Sequence, residues 1–526
     1  MKTIKYILSA AVLALSLQAC VNDLTITEVI DPGKNTADKA LTSEAAFNSF
    51  LAGVYTGFAT SGYKGPGGDP SISGLDGGAS QYLRGLINLN ELPTDESSCN
   101  WNDQTIRNFH LLSWTTSDTF IYAFYSRIYF QISMCNEFIR QANATEVNLS
   151  EKDEMIAEAR VLRALCYLHA IDNFGKGPFV DENSVIGVAP EEISRTALYA
   201  WLETELTDLI SGSALPSARS PKAYGRADKG LAMMILAKLY LNAEVYTGTA
   251  QWAKCASVLN QIAAAGYSLH TTPNGTRSAY QDLFGADNDK CTDEIIFAIE
   301  QDGENTQSYG ATNYLVFAST GDGIEASSMG ISSGWAGLRS TDTFFNLFED
   351  NDARKLFYST DDGMHEGPIT DIADWSKGGH PSVKFTNVKS DGNPGKAEGF
   401  VDTDFPVFRY ADALLMLAEC GLHSESGVSK TQGLEYLNKV RARAGVGALS
   451  DYDSATLRDE RGRELYLECW RRSDLIRLGY FTGNDYVWDW KGGEQNGIAT
   501  DSYRTVYPIP SSDLNANANL TQNEGY

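Results

Sequence analysis

Two blocks of helical periodicity, separated by a long stretch without any, constrain this chain more than any other feature. In the first block, apolar residues recur at helical spacing over Ser43–Phe58, Phe120–Ala142, Glu151–Phe174, Thr196–Ile210, Arg226–Val245 and Gln251–Ala264. In the second they recur over Val407–Leu422, Thr431–Ala444 and Ala455–Leu478. Thr42 or Ser43 can cap the first helix and Ser150 the third, with Gly175 just past the end of the latter. Helices of this length joined by short polar turns predict stacked hairpins, and the period over Leu231–Ala265 is about that of a tetratricopeptide unit. The fold class expected is mainly α. In the last helix, Asp459–Arg463 and Glu468–Arg472 stand i,i+4 apart, which predicts paired charges on an exposed face.

Residues 267–406, between the blocks, are dense in Gly, Asp, Ser and Asn. Short β-like runs stand at Ile295–Ile299 and Tyr314–Phe317. The stretch predicts a loop-rich region packed on the helices, and loops held by a rigid scaffold commonly carry function. The tail, with Trp488, Trp490 and Tyr507-Pro508-Ile509-Pro510, predicts an extended segment wrapping back on the body. The formal net charge of -26 argues against a phosphate backbone as partner, so no nucleic acid is expected.

The N-terminus has the layout of an export signal. Lys2 and Lys5 precede an apolar run over Ile7–Leu17 that is too short to cross a bilayer. Leu17-Gln18-Ala19-Cys20 follows and resembles the lipobox of bacterial lipoproteins, whose cysteine is lipidated. The competing reading is an ordinary secretory signal cut near Ala19. The expected organisation is a signal peptide over 1–19, a tether over 20–41, a helical region over 42–266, the loop-rich region over 267–406, and C-terminal helices with a tail over 407–526. Residues 42–526 are expected to form one unit, held on a membrane through Cys20 and not crossing it. Cys99, Cys135, Cys166, Cys255, Cys291, Cys420 and Cys469 are odd in number and form no CxxC pair, which predicts neither a disulfide framework nor a zinc site.

One stretch carries the densest binding chemistry. Gly74–Gln104 reads as a loop that opens on Gly74, Gly77 and Gly78, offers Asp76 and Arg84, and ends on Trp101 among Asn100, Asn102, Asp103 and Gln104. A ring among short amides suits a sugar, which has a CH face to stack and hydroxyls to hydrogen-bond. A core-plugging tryptophan in a surface loop is the plainer alternative.

Catalytic signals are thinner. Gly330-Ile331-Ser332-Ser333-Gly334 fits G-x-S-x-G, but without a clear strand before it or helix after it. His365-Glu366 lacks the second histidine of a zinc-protease helix. With 68 acidic residues, carboxylate pairs suited to glycoside hydrolysis arise by chance. Asp287, Asp289 and Asp293 are candidates for calcium, against a solvated acidic turn. No catalytic residue, cofactor or other metal site is expected.

Several motifs together resemble the SusD/RagB family, the surface glycan-binding lipoproteins of Bacteroidetes. They are Glu158–Leu165, Phe408–Glu419, Asn438–Gly445, Asp459–Leu465 with Arg471–Arg477, and the close from Tyr507-Pro508-Ile509-Pro510 to Asn523-Glu524-Gly525-Tyr526. The order Asp76, Arg84, Asn90–Glu96, Trp101 is similar to that of the family's starch-binding founder, and Tyr309 and Trp335 resemble the positions that continue its aromatic arc. Gln104 stands where the founder has asparagine, and the acidic loop at Asp287-Asn288-Asp289 is shorter. The resemblance implies a SusD-like fold and non-covalent capture of starch or malto-oligosaccharide. Trp101, Tyr309 and Trp335 would stack, while Asp76, Arg84 and Gln104 would hydrogen-bond hydroxyls. It also implies an outer-membrane, cell-surface location and delivery to a TonB-dependent SusC-like transporter. A different glycan or other nutrient on the same scaffold is the alternative; a glycoside hydrolase is a more distant one.

Overall fold

The computed structural model describes residues 40–220, 224–321, 323–358 and 366–526. The signal peptide, Cys20, most of the tether and His365 lie outside the described residues.

Helices dominate, and most begin where the sequence supplies a cap. Helix α1 (Glu44–Ala59) starts at Ser43, whose side chain accepts from the Ala46 N–H. Short α2 (Tyr82–Asn90) and α3 (Gln104–His110) lead to the long pair α4 (Thr119–Ala144) and α5 (Lys152–Asn173), which pack along each other as a hairpin. Ser150 does not cap α5. The N-cap is Glu151, without a side-chain cap bond, and Ser150 instead donates to Glu44. Helix α6 (Arg195–Ser211) packs on α5 and on α7 (Lys229–Leu241). The run expected to continue from Arg226 to Val245 breaks at Asn242, before the short α8 (Ala243–Thr247). Helix α9 (Trp252–Ala264) then closes a hairpin with α7.

In the middle region, α10 (Ala279–Asp282), α11 (Ala311–Ser319) and α12 (Asp342–Phe345) are short. Tyr314–Phe317, expected as β-like, lies inside α11 and is wholly buried. Burial on all sides removes the amphipathic signal, so an apolar run this short reads the same in either conformation. Strands are few. β1 (Ser98–Cys99), β2 (Gly177–Pro178), β3 (Glu192–Ile193), β4 (Ile295–Ile299), β5 (Leu338–Arg339) and β6 (Phe405–Arg409) form three antiparallel pairs, β1–β5, β2–β3 and β4–β6. The helix expected from Val407 therefore starts late, as α13 (Tyr410–Cys420), because Phe405–Arg409 completes the pair with β4.

Helix α14 (Lys430–Arg443) packs on α13. The run expected as one helix over Ala455–Leu478 is two, α15 (Ser454–Leu465) and α16 (Arg471–Arg477). Leu467 and Cys469 between them have left-handed φ of 60° and 68°. The expected i,i+4 pairs do not form. Arg463 bonds Glu460, Asp459 bonds Arg458, and Glu468 takes Lys384 and Arg409 in the interior. After α16 the chain runs back over the body to α17 (Ser511–Ala516), with the Tyr507 hydroxyl donating to the Leu89 carbonyl at 2.6 Å.

One hydrophobic cluster runs from Phe47 to Leu520, with two smaller ones under α13–α15. All seven described cysteines are free and buried. No helix of the described residues is long and apolar enough to cross a membrane.

Candidate functional site

The β1–β5 pair builds the site. Ser98 faces Arg339 and Cys99 faces Leu338, and the Asn100 N–H extends the ladder to the Gly337 carbonyl at 2.9 Å. This register lays Trp101, just past β1, across Ala336–Gly337. Its Nε1–H donates to the Ala336 carbonyl. Gly337 has φ 137°, and a Cβ there would collide with the indole, so the ring rests on bare backbone.

Trp335 follows from the same contact. Its N–H donates to the Phe317 carbonyl at 2.7 Å, and its ring packs on Phe317 of α11 with centroids 4.9 Å apart. Tyr309 sits just before α11, is 45% exposed, and lies 6.2 Å from the Trp335 ring. Phe400 stands 5.5 Å from Tyr309 on the other side. The result is a ledge of part-exposed rings, Trp101, Trp335, Tyr309 and Phe400, drawn from four separate segments, the first more than two hundred residues before the others.

The polar candidates take three different positions. Asp76 is exposed at the Tyr309 end of the ledge. A Cβ on Gly78 would stand 3.2 Å from Asp76 Oδ1 and 3.3 Å from Tyr309 Cβ, so that glycine lets the two approach. Arg84 lies under the ledge at 6% exposure, its guanidinium 3.5 Å from the Tyr314 centroid and 5.6 Å from that of Trp101. Its Nε donates to Asn88 at 3.2 Å, so the cation supports the Trp101 ring from below. Gln104 is exposed beside Trp101, but its amide folds along α3. Nε2 donates to Asn108 at 2.7 Å, and Oε1 accepts from Arg107 at 3.0 Å.

The stretch expected as one loop over Gly74–Gln104 is not one. Its middle is helix α2, and every residue from Ser80 to Asn100 is buried. Asn90–Glu96 faces inward. Asp95 takes a two-pronged bond from Arg471 at 2.8 and 2.7 Å and a third from the Tyr486 hydroxyl at 2.6 Å. Glu96 accepts from the Leu467 N–H at 3.1 Å, and Glu91 accepts from the Cys469 N–H. Burial and the neighbouring carboxylate of Glu91 hold Glu96 well above the usual range, and burial lifts Glu91 to about 7.

Ser332 of the G-x-S-x-G run sits in a loop after Gly330, whose φ is 71°. Its N–H and hydroxyl both donate to the Glu398 carbonyl, at 3.0 and 3.3 Å, so it lacks the strand-to-helix turn of an activated serine. Two of the three calcium candidates are engaged by neighbouring side chains. Both Asp287 oxygens serve Ser390 at 2.7 Å, and one also holds the Lys290 ammonium at 2.7 Å, so a cation is already in place. Asp293 holds His270 at 3.0 Å. Among the described residues no three His, Cys, Asp or Glu side chains converge as a metal site.

Sequence reasoning missed Phe400 at this site. It is a single aromatic in the Gly- and Asp-rich region. No periodicity marks it, and only its residue type against that background could have flagged it.

The family model described as "SusD family" matches residues 363–526, and one described as "Starch-binding associating with outer membrane" matches residues 83–241. The chain is 34% identical, over 100% of its own length and 99% of the relative's, to starch-binding protein SusD of Bacteroides thetaiotaomicron. It is 27% identical to SusD-like protein P25 of Formosa agariphila, over 71% of this chain and 73% of that one. Among solved structures, surface glycan-binding protein A from Bacteroides thetaiotaomicron superposes with a TM-score of 0.71 at 18% identity, over 92% of this chain and 100% of that one. The same-named protein in complex with laminarihexaose gives a TM-score of 0.67 at 17% identity, with the same coverage. At those identities the structural likeness shows the fold alone.

Proposed function

The chain belongs to the SusD family, and on that premise we propose that its aromatic ledge captures a glucan non-covalently at the cell surface. The ligand we assign is starch or malto-oligosaccharide, the class named for the full-length relative. The observation that carries the reading is the ledge itself: Trp101, Trp335 and Tyr309 come from separate segments and present rings side by side. Pyranose rings stack their CH faces on such rings, and Asp76 and Gln104 stand at the two ends for hydroxyls.

Magnitudes agree with a capture-and-release site. If a sugar covers about 100 Å² of apolar surface at each of three rings, the gross gain is about 7 kcal/mol at ~25 cal/mol/Å². Ordering and association costs reduce this to roughly 4–6 kcal/mol, a Kd of about a millimolar to tens of micromolar. The activity is binding without bond cleavage. Acylated Cys20 anchors the protein in the outer membrane. The bound oligosaccharide passes to a TonB-dependent SusC-like transporter that contacts the helical-hairpin side.

Titration calorimetry with maltoheptaose, repeated on Trp101→Ala, tests the reading. Weak binding that vanishes in the variant is expected. A wild-type protein that gives no heat with maltoheptaose would remove starch as the ligand.

A further inference from the structure

Trp335 has a second neighbourhood outside the ledge. Beside it opens a cavity of about 360 Å³, walled by Trp375, Ile324 and the backbone of Gly321, Gly323 and Gly334. The volume lies near the lower end of small-molecule pockets, which run to about 300–1,000 Å³. The glycines keep two walls thin. A Cβ on Gly334 would run into the Thr320 carbonyl, and one on Gly321 would stand 2.6 Å from the Ala336 methyl. The cavity is lined by these glycine backbones between two part-exposed indoles. That combination of flat apolar walls and backbone polarity matches a pyranose, whose faces are apolar and whose rim is hydroxyl.

A buried cation behind the wall fixes one of its indoles. Arg339, on β5, is 1% exposed. Its Nη1 donates to the Leu338 carbonyl at 2.6 Å, but Nε and Nη2 have no hydrogen-bond partner among the described residues. Nη2 lies 3.6 Å from where a Cβ would stand on Gly321, and the guanidinium is 5.5 Å from the Trp375 centroid. Burial lowers its pKa to about 10. The guanidinium is within cation–π reach of Trp375 and so holds that indole at the cavity wall.

We propose that this cavity is a further subsite of the same glycan site, taking one pyranose unit of a chain that lies on the ledge, with Trp375 as its stacking ring, held from behind by Arg339. The proposal rests on the ledge binding glycan. It makes the site longer than the ledge, so that chain length, and not only linkage, sets affinity.

Calorimetry on the full chain in detergent, with maltotriose and maltoheptaose, separates the two claims. Trp375→Ala is expected to weaken maltoheptaose roughly tenfold, one ring's share, and to leave maltotriose within about twofold. Trp375→Phe should recover most of the loss. If Trp375→Ala melts early, Trp375→Leu, which keeps apolar bulk without the flat ring, replaces it with the same expectation. A Trp375 variant that titrates maltoheptaose like the wild type, or weakens both lengths alike, would overturn the subsite. If Trp101→Ala abolishes binding while Trp375→Ala changes nothing, the ledge stands and the subsite falls. A wild type that binds neither malto-oligosaccharide nor laminarihexaose would overturn both.

Discussion

Glu96 and Trp101 are near neighbours in the chain and opposites in the molecule. Glu91, Asp95 and Glu96 are buried and spend their oxygens on Arg471, Tyr486 and the backbone of Leu467 and Cys469. Trp101, Tyr309 and Trp335 keep part of each ring open, with backbone, other rings and the Arg84 guanidinium beneath. Both regions join segments far apart in sequence, by different physics. The acids use directional bonds that fail when one partner is lost, whereas the rings use contact area that shrinks gradually. The contrast separates residues that hold the fold from residues that meet a ligand, although both sit in one polar stretch of sequence.

The sharpest way to break the contrast is at Asp95. Asp95→Ala leaves the Arg471 guanidinium buried and without its carboxylate. Burial raises the Asp95 carboxyl, and Arg471 more than reverses this, so the pair is fully ionised at neutral pH. Removing one partner of such a pair costs about 3–5 kcal/mol. Denaturant unfolding should show a midpoint shift of that size, with glycan binding lost only where the fold is lost. A variant that unfolds like wild type but no longer binds would place Asp95 in the ligand site instead.

The same cluster carries a pH signature of smaller size. Glu91 Oε2 has no donor among the described residues, and the carboxyl of Glu96, kept protonated to higher pH, stands beside it and fills that gap. The folded pKa of Glu91, about 7, lies above the ordinary 4.5. The stabilisation is therefore fully present below about 4.5 and is lost as pH rises through about 7. His169, lowered to about 4 by burial, and His110, lowered likewise, work in the opposite sense, losing stability as pH falls through 6.5. The difference between wild type and Glu91→Gln isolates the acid, because glutamine imitates its protonated form. From pH 6 to 8 the wild type should lose about 1 kcal/mol more than the variant in chemical unfolding. Parallel pH profiles would show that Glu91 is not held protonated toward neutral pH.

These acids also explain which parts of the molecule were legible. Periodicity placed α1, α4, α5, α6 and α9 within a few residues, because each keeps a wet face, and α1, α4 and α6 also have a local side-chain cap. It ran α15 and α16 together, since Ala455–Leu478 is helical in every local respect. The break at Leu467–Cys469 is held by Glu91 and Glu96, whose reach across the chain has no local signature. At the site, Trp101, Tyr309 and Trp335 were readable as residues through the family's motifs. Their adjacency depends on the two-residue register of β1 with β5, too short to leave a pattern. Phe400 and Trp375 had neither motif nor period, and Arg84 gave no hint that Tyr314 would cover its face.

On the ledge side, Trp335→Ala should spare the fold and weaken the ligand. The ring packs on Phe317 from a part-exposed position, so its loss should cost about 1 kcal/mol of stability. It removes one of three stacking rings and a wall of the neighbouring cavity, so maltoheptaose affinity should fall at least tenfold in calorimetry. If binding is unchanged, the ledge does not include Trp335.

Gln104→Ala should do least, and its size reports how the amide is used. In the structure both ends of that amide are committed, to Asn108 and to Arg107. A sugar hydroxyl must displace one of these bonds, so the net gain is an exchange of similar bonds and is well below the usual ~1 kcal/mol. Affinity for maltoheptaose should fall less than about threefold, with the melting temperature unchanged. Gln104→Asn has a shorter side chain that reaches Asn108 and Arg107 less well, which frees its amide for ligand, and should bind at least as tightly as the wild type. A tenfold loss in Gln104→Ala would show that the amide swings away from α3 when glycan is bound, and would move Gln104 from the edge of the ledge to its centre.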